Sequence, residues 1–357
     1  MKPIAIVLVA TATASANGFA LNEFDARAVG RGNASAATDT DPSSIFYNVG
    51  GLAGGEGTGI LIGGSLVSPF ATFHRNDGAE IESTTDPQLV PSAFISTKIG
   101  AYAFGIGLTT PFGLALEYPD SAPTNDIVRD QTLRTYFITP AFGLELLPGL
   151  TVGIGLDIVP ATVELTQYVF FGDEHGTAHL GATALGFGGR AGVMWRHGRL
   201  SLGAMWRSNV KEHFSGTGDF DAPAPFRSQL PPDGDISTRI TLPQQVTIGA
   251  AYRPLRDLEI EANAVWTQWS QFETLAITVP GATITTPEHY ESTVSARVGL
   301  EYRMPESGFA VRAGYIYDPT PVRPPYLTVQ LPDIDRHDVT AGISKAFGTI
   351  DVHLGLL

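Results

Sequence analysis

Apolar and polar residues alternate along most of this chain, yet no run is long and apolar enough to be a membrane helix. Val294, Ala296, Val298, Leu300 and Tyr302 share one face of a period of two, and Ser295, Arg297, Gly299, Glu301 and Arg303 take the other. Val246, Ile248, Ala250 and Tyr252 alternate in the same way with Thr247, Gly249, Ala251 and Arg253. Near the C-terminus, Asp351 and His353 fall opposite Ile350, Val352, Leu354 and Leu356. Successive side chains of a strand point to opposite faces, so each segment has one apolar and one wet surface. Many such segments behind an export signal point to a barrel with lipid outside and water or ligand inside.

The first residues read as that signal. Lys2 gives a positive start, Pro3 to Ala12 is mostly apolar, and Ala14-Ser15-Ala16 fits small-x-small cleavage. The apolar run is too short to span a bilayer as a helix, which needs about 20 residues. Cleavage after residue 16 leaves 357 − 16 = 341 residues, beginning at Asn17. Charged residues make up only 16% of the chain, against about 25% in an ordinary soluble domain. The absence of cysteine excludes a disulfide framework or a thiolate site. A net charge of −14 argues against nucleic acid as a partner. The acids cluster in expected loops (Asp39 and Asp41, Asp77 to Glu82, Asp219 and Asp221, Asp233 and Asp235), where they solubilise. They could also bridge through divalent cations to anionic outer-leaflet lipid.

Residues 17–57 lack sustained alternation and are rich in Gly, Ala, Ser, Asp and Asn, as suits a plug folded into a lumen. Thirteen strands then follow by pattern and turn punctuation, near 59–74, 92–99, 101–110, 132–146, 150–168, 185–197, 199–215, 238–253, 257–275, 292–304, 308–318, 336–347 and 349–357. Short links such as Pro148-Gly149, His197-Gly198-Arg199 and Gly348 alternate with long ones such as 113–130, 172–184, 216–237 and 319–335. Short turns at one end and long loops at the other are the habit of outer-membrane barrels. Single-chain bacterial barrels have an even number of strands, so thirteen implies that the last one is absent. Trp195, Trp206, Tyr252, Tyr302, Tyr315 and Tyr317 fall near strand ends, where amphipathic rings sit at headgroup level.

Several short motifs stand out in order along the chain. They are Gly18-Phe19-Ala20-Leu21-Asn22-Glu23-Phe24, Gly30-Arg31-Gly32, Ala36-Ala37-Thr38-Asp39 and Ile45-Phe46-Tyr47-Asn48-Val49-Gly50-Gly51-Leu52. Trp269-Ser270-Gln271-Phe272, Asp318-Pro319-Thr320-Pro321-Val322 and Leu331-Pro332-Asp333 with Asp335-Arg336 follow them. Together they resemble the FadL family of outer-membrane channels for hydrophobic compounds, including its TodX-like aromatic-hydrocarbon members. The resemblance implies an all-β transmembrane antiparallel barrel of the FadL type, fourteen strands with about thirteen present, in 58–357. It implies a hatch over 17–57, carried by Asn22, Glu23, Phe24, Gly30, Arg31, Asn48, Gly50 and Leu52. It also implies a disrupted third strand that opens the wall toward the membrane. Val49-Gly50 stands where the family has Pro-Ala, which would leave the hatch turn looser. Expected partners are a hydrophobic ligand, outer-membrane lipid and lipopolysaccharide; a monomer in the bacterial outer membrane without cofactor or metal is the expected state.

Passive uptake of a fatty acid or hydrocarbon needs an outer groove, an apolar pocket and a sideways exit. Pro111, Phe112, Gly113, Leu114 and Leu116 have the composition for a groove, and Pro111 and Gly113 would interrupt a ladder. The loop 319–335 adds Pro324, Pro325, Tyr326 and Leu327. Inward-facing Arg190, Arg297 and Arg312, with the acids Glu259, Glu261, Glu301 and Asp157, form either a structural network under the hatch or a ligand clamp. Two other readings stand beside this one. A polar porin needs an open lumen. A barrel lipase needs a serine beside His353 and Asp351, and the sequence ties none to them. His175 and His179 would bind metal only on a helix.

Overall fold

The computed structural model describes residues 4–13, 18–74 and 80–357. Lys2, the expected cleavage residues Ala14 to Asn17 and the loop acid Asp77 lie outside the described residues. Thirteen staves form the wall. They are β1 (Thr58–Ser68), β2 (Gln88–Ile99), β3 (Tyr102–Thr109, resuming at Gly113–Glu117), β4 (Asp130–Thr135 and Phe137–Leu147), β5 (Leu150–Phe171), β6 (Glu174–His197) and β7 (Leu200–Arg207 and Val210–Asp221). The rest are β8 (Gly234–Leu242 and Gln245–Leu255), β9 (Leu258–Thr267 and Thr274–Val279), β10 (Ala282–Pro287 and Thr293–Met304), β11 (Phe309–Asp318), β12 (Arg336–Phe347) and β13 (Ile350–Leu356). Each pairs antiparallel with the next. The stretch Ile4–Thr13 lies between β13 and β1, parallel to both, in the position a fourteenth stave would take. These pairings join the last stave to the first in this chain.

The sidedness is that of a membrane protein. Val294, Val298, Leu300 and Tyr302 are exposed, while Ser295, Arg297 and Glu301 on the alternate face are buried. Ile248 and Tyr252 are likewise exposed, and across the ladder Glu259, Glu261 and Asn263 are buried. Trp195, Tyr252 and Tyr302 stand exposed beside the short turns. Tyr315 is exposed toward the other end of β11, and Trp206 is exposed part-way along β7. The short turns reverse within one or two residues on glycines of positive φ, as at Gly149 (82°) and Gly348 (64°), where a Cβ would be strained.

Several strands run further than the sequence reading placed them. β5 and β6 form one ladder from Leu150↔Trp195 to Phe171↔Glu174, through the segment 172–184 expected as a loop. The chain turns at Gly172, with φ of 74°. Val210–Asp221 with Gly234–Leu242, and Thr274–Val279 with Ala282–Pro287, extend in the same way. Beyond the bilayer a strand no longer needs an apolar outer face, so the alternation fades while the hydrogen-bond ladder continues.

The hatch fills the lumen. Asp25 caps the short helix Ala26–Val29 by accepting from Arg27 N, and Asn48 caps the 3-10 helix Val49–Gly54 by accepting from Gly50 N at 3.0 Å. Asn48 Nδ2 also donates to Ala36 O (2.6 Å) and to Val193 O of the wall (3.0 Å). The wall presents glycine where the hatch backbone touches it. A Cβ on Gly30 would sit 2.7 Å from Gly342 Cα, and one on Gly50 would sit 2.6 Å from Val193 N. The looser turn expected at Val49-Gly50 is therefore not what the packing shows: glycine there admits a closer approach of wall and hatch than alanine would.

Candidate transport route

The third stave is interrupted between Thr109 and Gly113, around Pro111. Proline has no N–H to offer a ladder. Up to Thr109, β3 pairs with β2 on one side and β4 on the other. From Gly113 onward it pairs with Asp130–Thr135 alone. The facing part of β2, Gln88 to Ser92, pairs with β1 alone. The two staves diverge, and a cavity opens between them. Val67, Leu89, Pro91, Phe112, Leu114 and Tyr136 are among its walls. The expectation that 111–116 forms an extracellular groove is corrected here: Phe112 and Leu116 are buried in the barrel wall, because Gly113–Glu117 continues as a strand.

The hatch reaches this break directly. Leu21 N donates to Pro111 O and Gly113 N to Phe19 O, each at 2.9 Å, around a bridge between Ala20 and Phe112. Phe19 meets Phe112, Trp269 and Phe272 edge-on at centroid distances of 6.0, 4.9 and 5.7 Å. Gly18 N is held at 2.9 Å by Asp333 Oδ2, which also accepts from Thr320 Oγ1. Burial pushes the Asp333 carboxyl up to about 6 and that of Glu288, in the neighbouring loop, up to about 7.

Above the hatch lies a second, apolar cavity. Phe19, Leu165, Leu180, Ile240, Phe272 and Ile277 line it, and among the described residues no Lys, Arg or His does. Leu114 and Leu133 line both cavities and so form the partition between them. The loop 319–335 roofs the inner one with Gln330 and Leu331, and Tyr118 OH donates to Val329 O at 3.1 Å. Leu327, expected in the groove, instead faces solvent.

Below, the lumen is polar and mostly paired. Arg31 of the hatch donates to Glu259 and Glu261 of β9 at 3.2 Å each, and Glu261 accepts from Ala37 N (2.7 Å) and Thr38 Oγ1 (2.5 Å). Burial works against the Arg31 charge, but Glu261 and Glu259 outweigh it and hold the guanidinium above its ordinary range. Arg190 is held by Asp157 (2.6 Å) and reaches the hatch at Ile45 O (2.8 Å). Arg312 is held by Glu301 at 2.6 Å. Of the three arginines, Arg190 and Arg312 each pair with a carboxylate, whereas Arg297 makes no ion pair among the described residues. Glu23 accepts from Asn22 N and Asn33, Phe24 meets Phe46 edge-on at 4.6 Å, and Leu52 is buried within the hatch. A serine does approach His353, namely Ser344 (2.5 Å), but Ser344 also takes a hydrogen bond from Arg312 and sits in the ionic network.

The model of the outer membrane protein transport family (OMPP1/FadL/TodX) matches residues 7–352. The chain belongs to this family. Among its relatives, the long-chain fatty acid transport protein of Salmonella typhi is 23% identical over 383 residues, covering 96% of this chain and 87% of that one. The Escherichia coli K12 protein of the same description is 22% identical, covering 96% and 87%. Among solved structures, a Pseudomonas aeruginosa FadL homologue superposes with a TM-score of 0.80 at 19% identity, over 92% of this chain and 87% of that one. The Pseudomonas putida toluene transporter TodX gives 0.75 at 20% identity, over 92% and 90%. As a FadL/TodX-family member the chain is an outer-membrane transport protein, and its relatives are transporters and channels rather than enzymes. Arg207 is the functional candidate the sequence reading passed over. Trp206 was placed on the lipid face, and that alone puts its neighbour inward.

Proposed function

We propose that this FadL/TodX-family protein carries hydrophobic small molecules, long-chain fatty acids or hydrocarbons, passively from the cell exterior into the outer membrane. One observation carries the reading: an inner apolar cavity and a gap in the wall share Leu114 and Leu133, and hatch residues Phe19 to Leu21 are hydrogen-bonded across the break in β3. A ligand enters under the loop 319–335, rests in the inner cavity, and leaves sideways when the hatch end shifts. Transfer of an alkyl chain from water into such a cavity releases roughly 0.8 kcal/mol per buried CH₂, and release into lipid is near neutral, so no energy source is required. The hatch filling the lumen favours this reading over an open polar porin. Lipid contacts the outward apolar rows, and the protein acts as a monomer.

Restoring the ladder tests the route. The double variant Pro111→Val, Gly113→Thr returns an N–H and strand propensity to the break. At equal surface amount, uptake of labelled oleate and of toluene by whole cells should both fall by about tenfold, equivalent to ~1.4 kcal/mol on the barrier. Unchanged uptake of both compounds would refute lateral exit.

We further propose that residues 1–16 are removed on export. Lys2, the following apolar run and Ala14-Ser15-Ala16 support this. Sequencing the protein extracted from outer membranes should read from Asn17; a chain beginning at Met1 would rule the cleavage out.

A further inference from the structure

The reading above leaves two buried cations, Arg207 and Arg297, without a carboxylate partner among the described residues. Arg207 of β7 is 3% exposed, and its one polar contact among the described residues is Nη2 to Gln245 Oε1 at 2.6 Å. Its Nε has no hydrogen-bond partner. Three aromatic rings surround the guanidinium instead, and each belongs to a different part of the machine. Phe112, at the break in β3, lies 5.1 Å away by its centroid; Phe137, in the wall stave β4, lies 5.7 Å away; and Phe46, in the hatch, lies 5.7 Å away. Ring faces carry negative potential and hold a guanidinium by cation–π attraction, which strengthens as water is excluded. They satisfy none of its N–H donors, so the arrangement is bound yet incomplete.

A small polar cavity adjoins it, lined by Arg207, Arg297, Asn22, Asn33, Tyr47 and Gln245. Arg297 on the same cavity also has a bare Nε and makes no ion pair among the described residues. Arg31, Arg190 and Arg312 show the contrast, since each has a carboxylate within 3.2 Å. Two buried cations facing one cavity with amide donors form a surplus of positive charge that an anionic group would neutralise.

We infer that Arg207 is a latch: it ties the hatch, through Phe46, to the gap, through Phe112, and a carboxylate head group entering the polar cavity draws the guanidinium off the rings and frees both. This deepens the transport reading and rests on it, because it names an anionic amphiphile as the substrate that opens the gate. A neutral hydrocarbon has nothing to offer Arg207 and passes only when the latch loosens by chance. Arg207 is accordingly a positioning residue for the gap and an electrostatic sensor for the ligand.

Oleate and methyl oleate separate the effects, since they share a chain and differ in charge. Whole cells with the wild-type protein should take up oleate about tenfold faster than the ester, a difference of ~1.4 kcal/mol. In Arg207→Met the ester should rise toward the acid and the ratio should approach one. Arg207→Lys, which keeps charge but not the planar stacking, should retain part of the preference. If Arg207→Met does not reach the membrane, Phe112→Leu in the same assay should raise ester uptake by weakening the same cage. An unchanged ratio in the variants, or equal loss of both compounds, would overturn the latch. Equal wild-type uptake of acid and ester would also overturn it while leaving the channel reading intact; wild-type uptake of neither would overturn the channel reading itself.

Discussion

A channel carrying cysteine at positions 20 and 112 is expected to close under oxidant and reopen under dithiothreitol. Ala20 and Phe112 oppose each other in an antiparallel bridge, flanked by the bonds Leu21 N to Pro111 O and Gly113 N to Phe19 O. That pattern makes them a non-hydrogen-bonded pair, whose Cα atoms stand about 4.5 Å apart, inside the range a disulfide accepts. The natural chain has no cysteine, so Ala20→Cys with Phe112→Cys can form no competing bond. A crosslink that disfavours the detached hatch end by about 2–4 kcal/mol lowers its population by about thirty-fold or more. Oleate uptake should fall accordingly in oxidised cells and return on reduction. Each sample serves as its own control for the lost ring of Phe112. Full uptake by the crosslinked protein would show that Phe19 to Leu21 need not leave the break for passage.

The second large effect concerns Arg31. Arg31→Met removes the cation shared by Glu259 and Glu261, each almost wholly buried. Glu259 keeps Arg253 at 2.6 Å, so Glu261 bears the loss. Leaving one member of a buried pair behind typically costs about 3–5 kcal/mol. The hatch is the part held less firmly, so the variant should admit ions: planar-bilayer recordings should show conductance steps that the wild type lacks. Adding Glu261→Leu removes the stranded charge and should quiet the channel again, although one more native contact is gone. A silent Arg31→Met channel would mean that the glycine seats and Asn48 hold the plug without the ion pairs.

How much of this could be read from the chain follows from where each residue sits relative to lipid. The rows Val294 to Tyr302 and Val246 to Tyr252 lie in the bilayer, where the outer face must be apolar, and their alternation was plain. The hairpin through Gly172 lies beyond it, where the same backbone ladder carries polar residues on both faces, and it read as a loop. Pro111 and Gly113 announced the break in β3 because proline withholds an N–H and glycine weakens a strand. Whether Arg190 and Arg312 clamp a ligand or brace the hatch was open, because inward arginines and inward acids share one face in either case. In the structure each of these two lies against a carboxylate, Asp157 or Glu301. The cage of Phe46, Phe112 and Phe137 around Arg207 was not legible, since barrel closure brings together positions far apart in the chain. The placement of Ile4–Thr13 beside β13 and β1 had no counterpart in the pattern at all.

The glycine seats carry a consequence for how much of the lumen can ever move. Where Gly30 meets Gly342 and Gly50 meets Gly192 and Val193, main chain rests on main chain without side chains to act as bearings. Such surfaces cannot slide past one another: the smallest axial step would drive a carbonyl into a neighbouring Cα. Withdrawal of the whole cork would have to part every seat and every ion pair together, whereas peeling back Phe19 to Leu21 parts two backbone bonds and a few ring contacts. On the proposed route the moving element is then a short flap at the rim, and cargo would stay on the bilayer's side of the cork throughout its passage.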